Sequence, residues 1–123
     1  MQTADDTPIR ETIDRYVEGM RTADVALLRS AFHEHANMVG DFGDDLMAAP
    51  ISTLFDWASA ELEPGATGDD HRVEIEDVEI AGDVALARVY ERDLFGGDAR
   101  EFFTLVRTDD GWRITSKCWA SIG

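Results

Sequence analysis

The sequence predicts an α+β fold in which three N-terminal helices pack against an antiparallel sheet. Three observations predict it: apolar residues recur at helical spacing in the first half, the pattern turns strand-like after Asp70, and later turns pair glycine with aspartate. The 123 residues suit one domain, 1–123, with one core and roughly two-thirds of the unfolded surface removed from water.

Thr7-Pro8 opens the first helix, a hydroxyl cap followed by a proline whose missing N–H costs nothing there. Ile9, Ile13, Tyr16, Val17 and Met20 form its inward stripe, and Gly19 permits close approach of a neighbour. Asp24 caps a second helix whose apolar face is Leu27, Leu28, Ala31 and Phe32, ending near His33. From Ala36 to Leu46 the short irregular pattern reads as a short strand and a loop. Pro50 starts a third helix carrying Ile51, Leu54, Phe55, Ala58 and Leu62, which Pro64-Gly65 and Gly68 close.

Four strands follow, roughly 72 to 80, 84 to 95, 100 to 108 and 112 to 119, joined at Ala81-Gly82-Asp83, Gly96-Gly97-Asp98 and Asp109-Asp110-Gly111. Val73 and Ile75 share one parity and Val78 and Ile80 the other, so a bulge is expected near Glu76-Asp77. In the last strand Trp112, Ile114, Ser116 and Cys118 read as the interior face, leaving Arg113, Thr115, Lys117 and Trp119 outside. The second long strand is mixed on both faces. Tyr90 favours turning Val84, Leu86, Arg88 and Tyr90 inward; the alternative packs Ala85, Ala87 and Val89 beneath the first helix, with Glu91 facing any cavity.

A formal charge of −15 disfavours nucleic acid, because the surface repels phosphate. Acidic small molecules would need a local basic spot. No apolar run approaches the ~18 residues of a membrane span. The acidic N-terminus lacks a leader-like apolar stretch, so a cytoplasmic location is expected. The lone Cys118 cannot make an intramolecular disulfide or a cysteine-based zinc cage.

The run Ile13-Asp14-Arg15-Tyr16-Val17-Glu18-Gly19-Met20, then Asp24, Leu28, Ala31-Phe32-His33 and Ala36, resembles the N-terminal signature of the nuclear transport factor 2-like superfamily. Asp110-Gly111-Trp112-Arg113-Ile114 with Lys117 and Trp119 resembles its C-terminal strand. The closest resemblance is to the lumazine-binding-like and polyketide-cyclase-like (SnoaL-like) branches, over nearly the whole chain. It implies a cone-shaped roll: a strongly curved antiparallel sheet around a helix, leaving a hollow for a small apolar or aromatic molecule. The residues that would line the hollow are Tyr16, Met20, Met38, Phe42, Phe55, Phe103 and Cys118, with Tyr90 and its face-mate Arg88 if that face turns inward. Relatives commonly pair through the outer sheet face, so a homodimer with Lys117 and Trp119 at the interface is expected.

Ketosteroid isomerases of this fold combine a helix-1 tyrosine with a carboxylate base and a second acid. Tyr16 matches the tyrosine, but the base position falls at Gly40 and the second acid at about Phe103. Steroid isomerisation is therefore not expected. Asp41, beside the empty base position, is the candidate base, with a solvated loop acid as its bland reading; Tyr16 is either a hydrogen-bond donor to a ligand or a satisfied core phenol. His33-Glu34-His35 would share an ion only if extended, and reads as a helix-end cap; Asp69-Asp70-His71 reads as an acidic loop. No metal or cofactor is expected. The leading reading is a small-molecule-binding protein with a mostly apolar pocket. The alternatives are a cofactor-independent cyclase, dehydratase or isomerase using Tyr16 with a nearby acid or histidine, and a homodimerising interaction module.

Overall fold

A computed structural model describes residues 5–122, apart from the side chain of Phe42. Its elements run α1 (Thr7–Thr22), α2 (Val25–Ser30), β1 (Phe32–Phe42), β2 (Asp45–Pro50), α3 (Ser52–Glu61), β3 (Arg72–Ala81), β4 (Val84–Leu94), β5 (Gly97–Thr108) and β6 (Gly111–Ser121). The strands form one sheet in the order β2-β1-β6-β5-β4-β3, antiparallel except where β1 runs parallel to β6.

α1 turns Ile9, Ile13, Tyr16, Val17 and Met20 inward, the stripe its spacing predicts. Its cap falls one residue early, at Asp6, and Thr7 is already helical. Gly19 seats α2: a Cβ there would lie 2.7 Å from the Leu28 backbone nitrogen. Asp24 caps α2 by accepting from the Leu27 N–H. The helical layer is tied to the sheet by Thr12, whose hydroxyl donates to the Trp112 carbonyl, and by Ile114, whose N–H donates to the Ala31 carbonyl.

The second helix ends at Ser30, so His33 lies in β1 and not at a helix end. Chain that reads as a short strand and a loop forms the β1–β2 hairpin, closed by Gly43 at φ 68°. Pro50 belongs to this hairpin, and α3 begins two residues later.

The bulge expected in β3 occurs between Ile75 and Asp77. A second one, which the sequence does not announce, falls in β6: Leu105 pairs with Ile114 and Thr104 with Ser116, skipping Thr115. One extra residue reverses the parity of everything beyond it. Trp112 and Ile114 face the core as expected, but Lys117 is buried next, Cys118 is exposed, and Trp119 packs against the core. β4 adopts the less favoured of its two readings: Ala85, Ala87, Val89 and Glu91 are buried, while Arg88 and Tyr90 lie on the opposite face. The small side chains Ala85, Ala87 and Val89 fit the close-packed core cluster that this face joins.

Candidate functional site

The core contains an unbroken line of ionisable side chains. α1 contributes Tyr16 and Arg21, the turn before β3 contributes His71, and β4, β5 and β6 contribute Glu91, Glu101 and Lys117. The Tyr16 hydroxyl oxygen lies 3.3 Å from Glu91 Oε2 and 3.4 Å from Glu101 Oε2. Glu91 Oε1 lies 2.7 Å from His71 Nε2, and Lys117 Nζ lies 2.9 Å from Glu101 Oε2. Arg21 completes the line, donating from Nε to His71 Nδ1 at 3.2 Å and from Nη2 to the His71 carbonyl at 3.1 Å. Tyr16, Glu91 and Glu101 are each at most 1% exposed.

The partners set the proton positions. Because Arg21 donates to Nδ1, that nitrogen carries a lone pair, and the imidazole proton sits on Nε2, aimed at Glu91. Burial lowers the His71 pKa, the Arg21 charge lowers it further and Glu101 opposes, which also favours the neutral ring. Tyr16 has one proton between two carboxylates, so both contacts become hydrogen bonds only if one acid brings its own. Glu101 fits that part: burial pushes its pKa well above the carboxylate range, against the pull of Lys117 and with help from Glu91. Burial likewise raises the Tyr16 pKa, keeping the phenol protonated. Glu101 Oε1 has no hydrogen-bond partner among the described residues.

The Arg21–His71 end of this line opens into a cleft of about 420 Å³ lined by Arg21, Gly65, Thr67, Gly68, Asp69, His71 and Arg72. Loop and helix are joined there, the Gly65 N–H donating to the Arg21 carbonyl. Another cleft, of about 480 Å³, lies on the outer sheet face around Val84, Leu86, Thr104 and Val106.

Of the residues expected to line a hollow, Tyr16, Met20, Met38, Phe55 and Phe103 are buried in the same core cluster. They pack on one another, Tyr16 lying 5.3 Å from Phe103 and 6.0 Å from Phe32 between ring centroids. Arg88, Tyr90 and Cys118 are not with them: Arg88 pairs with Glu76, Tyr90 donates to Asp98, and Cys118 is exposed. The Phe42 side chain lies outside the described residues. Asp41 does not approach Tyr16, because its carboxylate accepts from the Ser121 backbone and hydroxyl. Lys117 and Trp119, expected on the outer face, lie inward, with Lys117 Nζ 4.0 Å from the Trp119 ring centroid. Gly40 is small because Trp119 covers it; a Cβ there would overlap the indole.

Sequence reasoning passed over Glu101, and took His71 for part of an acidic loop. The available signal was one carboxylate in each inward set, Glu91 after Ala85, Ala87 and Val89, and Glu101 between Ala99 and Phe103. The resemblance put the isomerases' second acid at about Phe103, and Glu101 stands one inward position earlier on the same strand. His33 and His35 stack in extended chain with centroids 5.5 Å apart, and no group of three metal-ligating side chains occurs among the described residues.

Residues 4–120 match the family described as "Putative lumazine-binding". The chain belongs to that family, within the nuclear transport factor 2-like superfamily. It is similar to a nuclear transport factor 2-like protein of unknown function from Shewanella baltica OS155, at 29% identity over 94% of this chain and 92% of that one, with a TM-score of 0.81. One from Methylobacillus flagellatus KT, also of unknown function, is 26% identical over 100% and 96%, with a TM-score of 0.86. A ketosteroid isomerase-like protein from Erwinia carotovora atroseptica, at 18% identity over 98% and 99% and a TM-score of 0.73, shares the fold. No curated protein matches the sequence significantly.

Proposed function

We propose that the protein binds a small organic molecule, without a cofactor, at the Arg21–His71–Arg72 cleft, where Arg21 joins the ligand to the buried acid–base line through His71. The observation that carries this reading is one phenol, Tyr16, shared by two buried carboxylates and linked through Glu91 and His71 to the cleft. Buried ionisable groups destabilise a small domain unless fully paired. A structural role alone would be met more cheaply by apolar residues, so a continuous line of them that ends at an opening favours acid–base work. Two carboxyl groups in unlike environments are the usual means of separating an acid from a base. Here Glu101, drawn toward its neutral form, faces Glu91, which accepts from both His71 and Tyr16. An acid and a base so paired suit those isomerase- and dehydratase-type proton transfers that need no cofactor.

The test is native mass spectrometry and crystallography of protein purified from its own host. A retained small molecule in contact with His71 supports the reading. A ligand held elsewhere, with the cleft holding only water, overturns it.

A homodimer remains part of the proposal, through a different surface from the one the sequence suggested. Val84, Leu86 and Phe102 are exposed on the outer face of β4 and β5, beside the second cleft, and supply the apolar area that Lys117 and Trp119 do not.

A further inference from the structure

We infer that the ligand carries an oxyanion, a carboxylate or a phosphate group, held by Arg72 together with the free edge of Arg21. This rests on the reading that the cleft is the ligand site, and adds the charge of what enters it.

Cations are scarce in this chain, 11 against 26 acids. Two of them nonetheless converge on a single backbone oxygen: Arg21 Nη2 and Arg72 Nη1 each donate to the His71 carbonyl at 3.1 Å. Among the described residues neither guanidinium has a carboxylate within ion-pairing distance; Arg10, Arg88, Arg100 and Arg107 have one, and Arg15, Arg29, Arg92 and Arg113 do not. Like charges drawn to one oxygen repel, and an anion between them reverses that term. Both groups line the cleft, and each keeps N–H donors that no protein atom uses, in the fork geometry that suits two oxygens of one anion. Arg21 is held rigidly because its Nε is already bound to His71, so it presents its remaining edge at little entropic cost. Gly65 and Gly68, at φ 81° and 114°, form the facing wall without side chains in the way. The one acid on the rim, Asp69, is bound to neither arginine. The volume, about 420 Å³, suits a small metabolite rather than a polymer.

The test is titration of the full ¹⁵N-labelled chain with benzoate, phenyl phosphate and the neutral benzamide, following backbone amides. Benzoate or phenyl phosphate is expected to shift the amides of Gly68, Asp69, His71 and Arg72, while benzamide leaves them in place. Arg72→Gln is expected to weaken that binding about tenfold, the loss of one charge-assisted contact. Arg113→Gln, a cation elsewhere, leaves it unchanged. Response to benzoate alone identifies a carboxylate ligand, and response to phenyl phosphate alone a phosphate. Equal response to benzamide overturns the inference while leaving the cleft as a ligand site. Shifts confined to other basic residues, or none with either anion, overturn it as well, and the former removes the cleft from the proposed function too.

Discussion

His71 Nε2 and Glu91 Oε1 are 2.7 Å apart, and both side chains are 1% exposed. A neutral imidazole that donates to a carboxylate while accepting from Arg21 is locked in one tautomer. Both ring nitrogens of His71 therefore have an assigned role, and the other proton to be placed in the line lies at its far end, on Glu101. Substitutions along the line consequently have unequal consequences.

Glu101 makes the fold sensitive to alkali. Burial raises its pKa, Lys117 opposes and Glu91 adds to the rise. A pKa raised on folding supplies stability that is complete below the unfolded value, about 4.3, and is lost as pH rises through the folded value. The loss is about 1.4 kcal/mol for each unit by which the pKa is raised. Glu101→Gln keeps the neutral shape, so urea denaturation should show it losing less stability than the parent between mildly acidic and mildly alkaline pH. Parallel pH profiles would remove Glu101 as the protonated acid.

Tyr16→Phe keeps the ring packing against Phe32 and Phe103 but leaves two buried carboxyl groups without their shared partner. A loss of about 1–3 kcal/mol in denaturant-induced unfolding is expected. A neutral outcome would mean that water or rearrangement replaces the hydroxyl. Any activity found later should fall in the same variant.

Gly40 and Trp119 form a contact that tolerates no methyl group. Gly40→Ala must push the indole off β1, breaking its hydrogen bond to the Asp41 carbonyl and its cover over Lys117. Overpacking of this kind costs about 1–3 kcal/mol, and Trp119 fluorescence should shift to the red. An unshifted spectrum with unchanged stability would contradict the packing.

Leu86 is 40% exposed on the outer sheet face and Val84 53%. Leu86→Arg is expected to convert a dimer to a monomer in sedimentation velocity without unfolding it. A parent protein that sediments as a monomer would refute the interface outright.

Much of the fold was legible because its signals are local. Asp24 at a cap, the inward stripe from Ile9 to Met20 and the glycine at each late turn act within a few residues of themselves. The site was less legible because it depends on parity over long distances. One skipped residue at Thr115 exchanged Lys117 and Cys118 between faces, and no local pattern marks where a strand will bulge. Glu91 and Glu101 illustrate a second limit: a carboxylate in a strand reads as solvated until its partners, 75 and 85 positions away on α1, are in place. His71 sits among acids in sequence and among Arg21, Arg72 and Glu91 in space.

The most direct measurement of the central claim is a pH titration of the His71 side-chain nitrogens by NMR. The expected result is a ring protonated at Nε2 alone near neutrality, titrating below the ordinary histidine value of about 6.5, with its resonances moving when the cleft is filled. A ring carrying its proton on Nδ1, or charged at neutral pH, would contradict it.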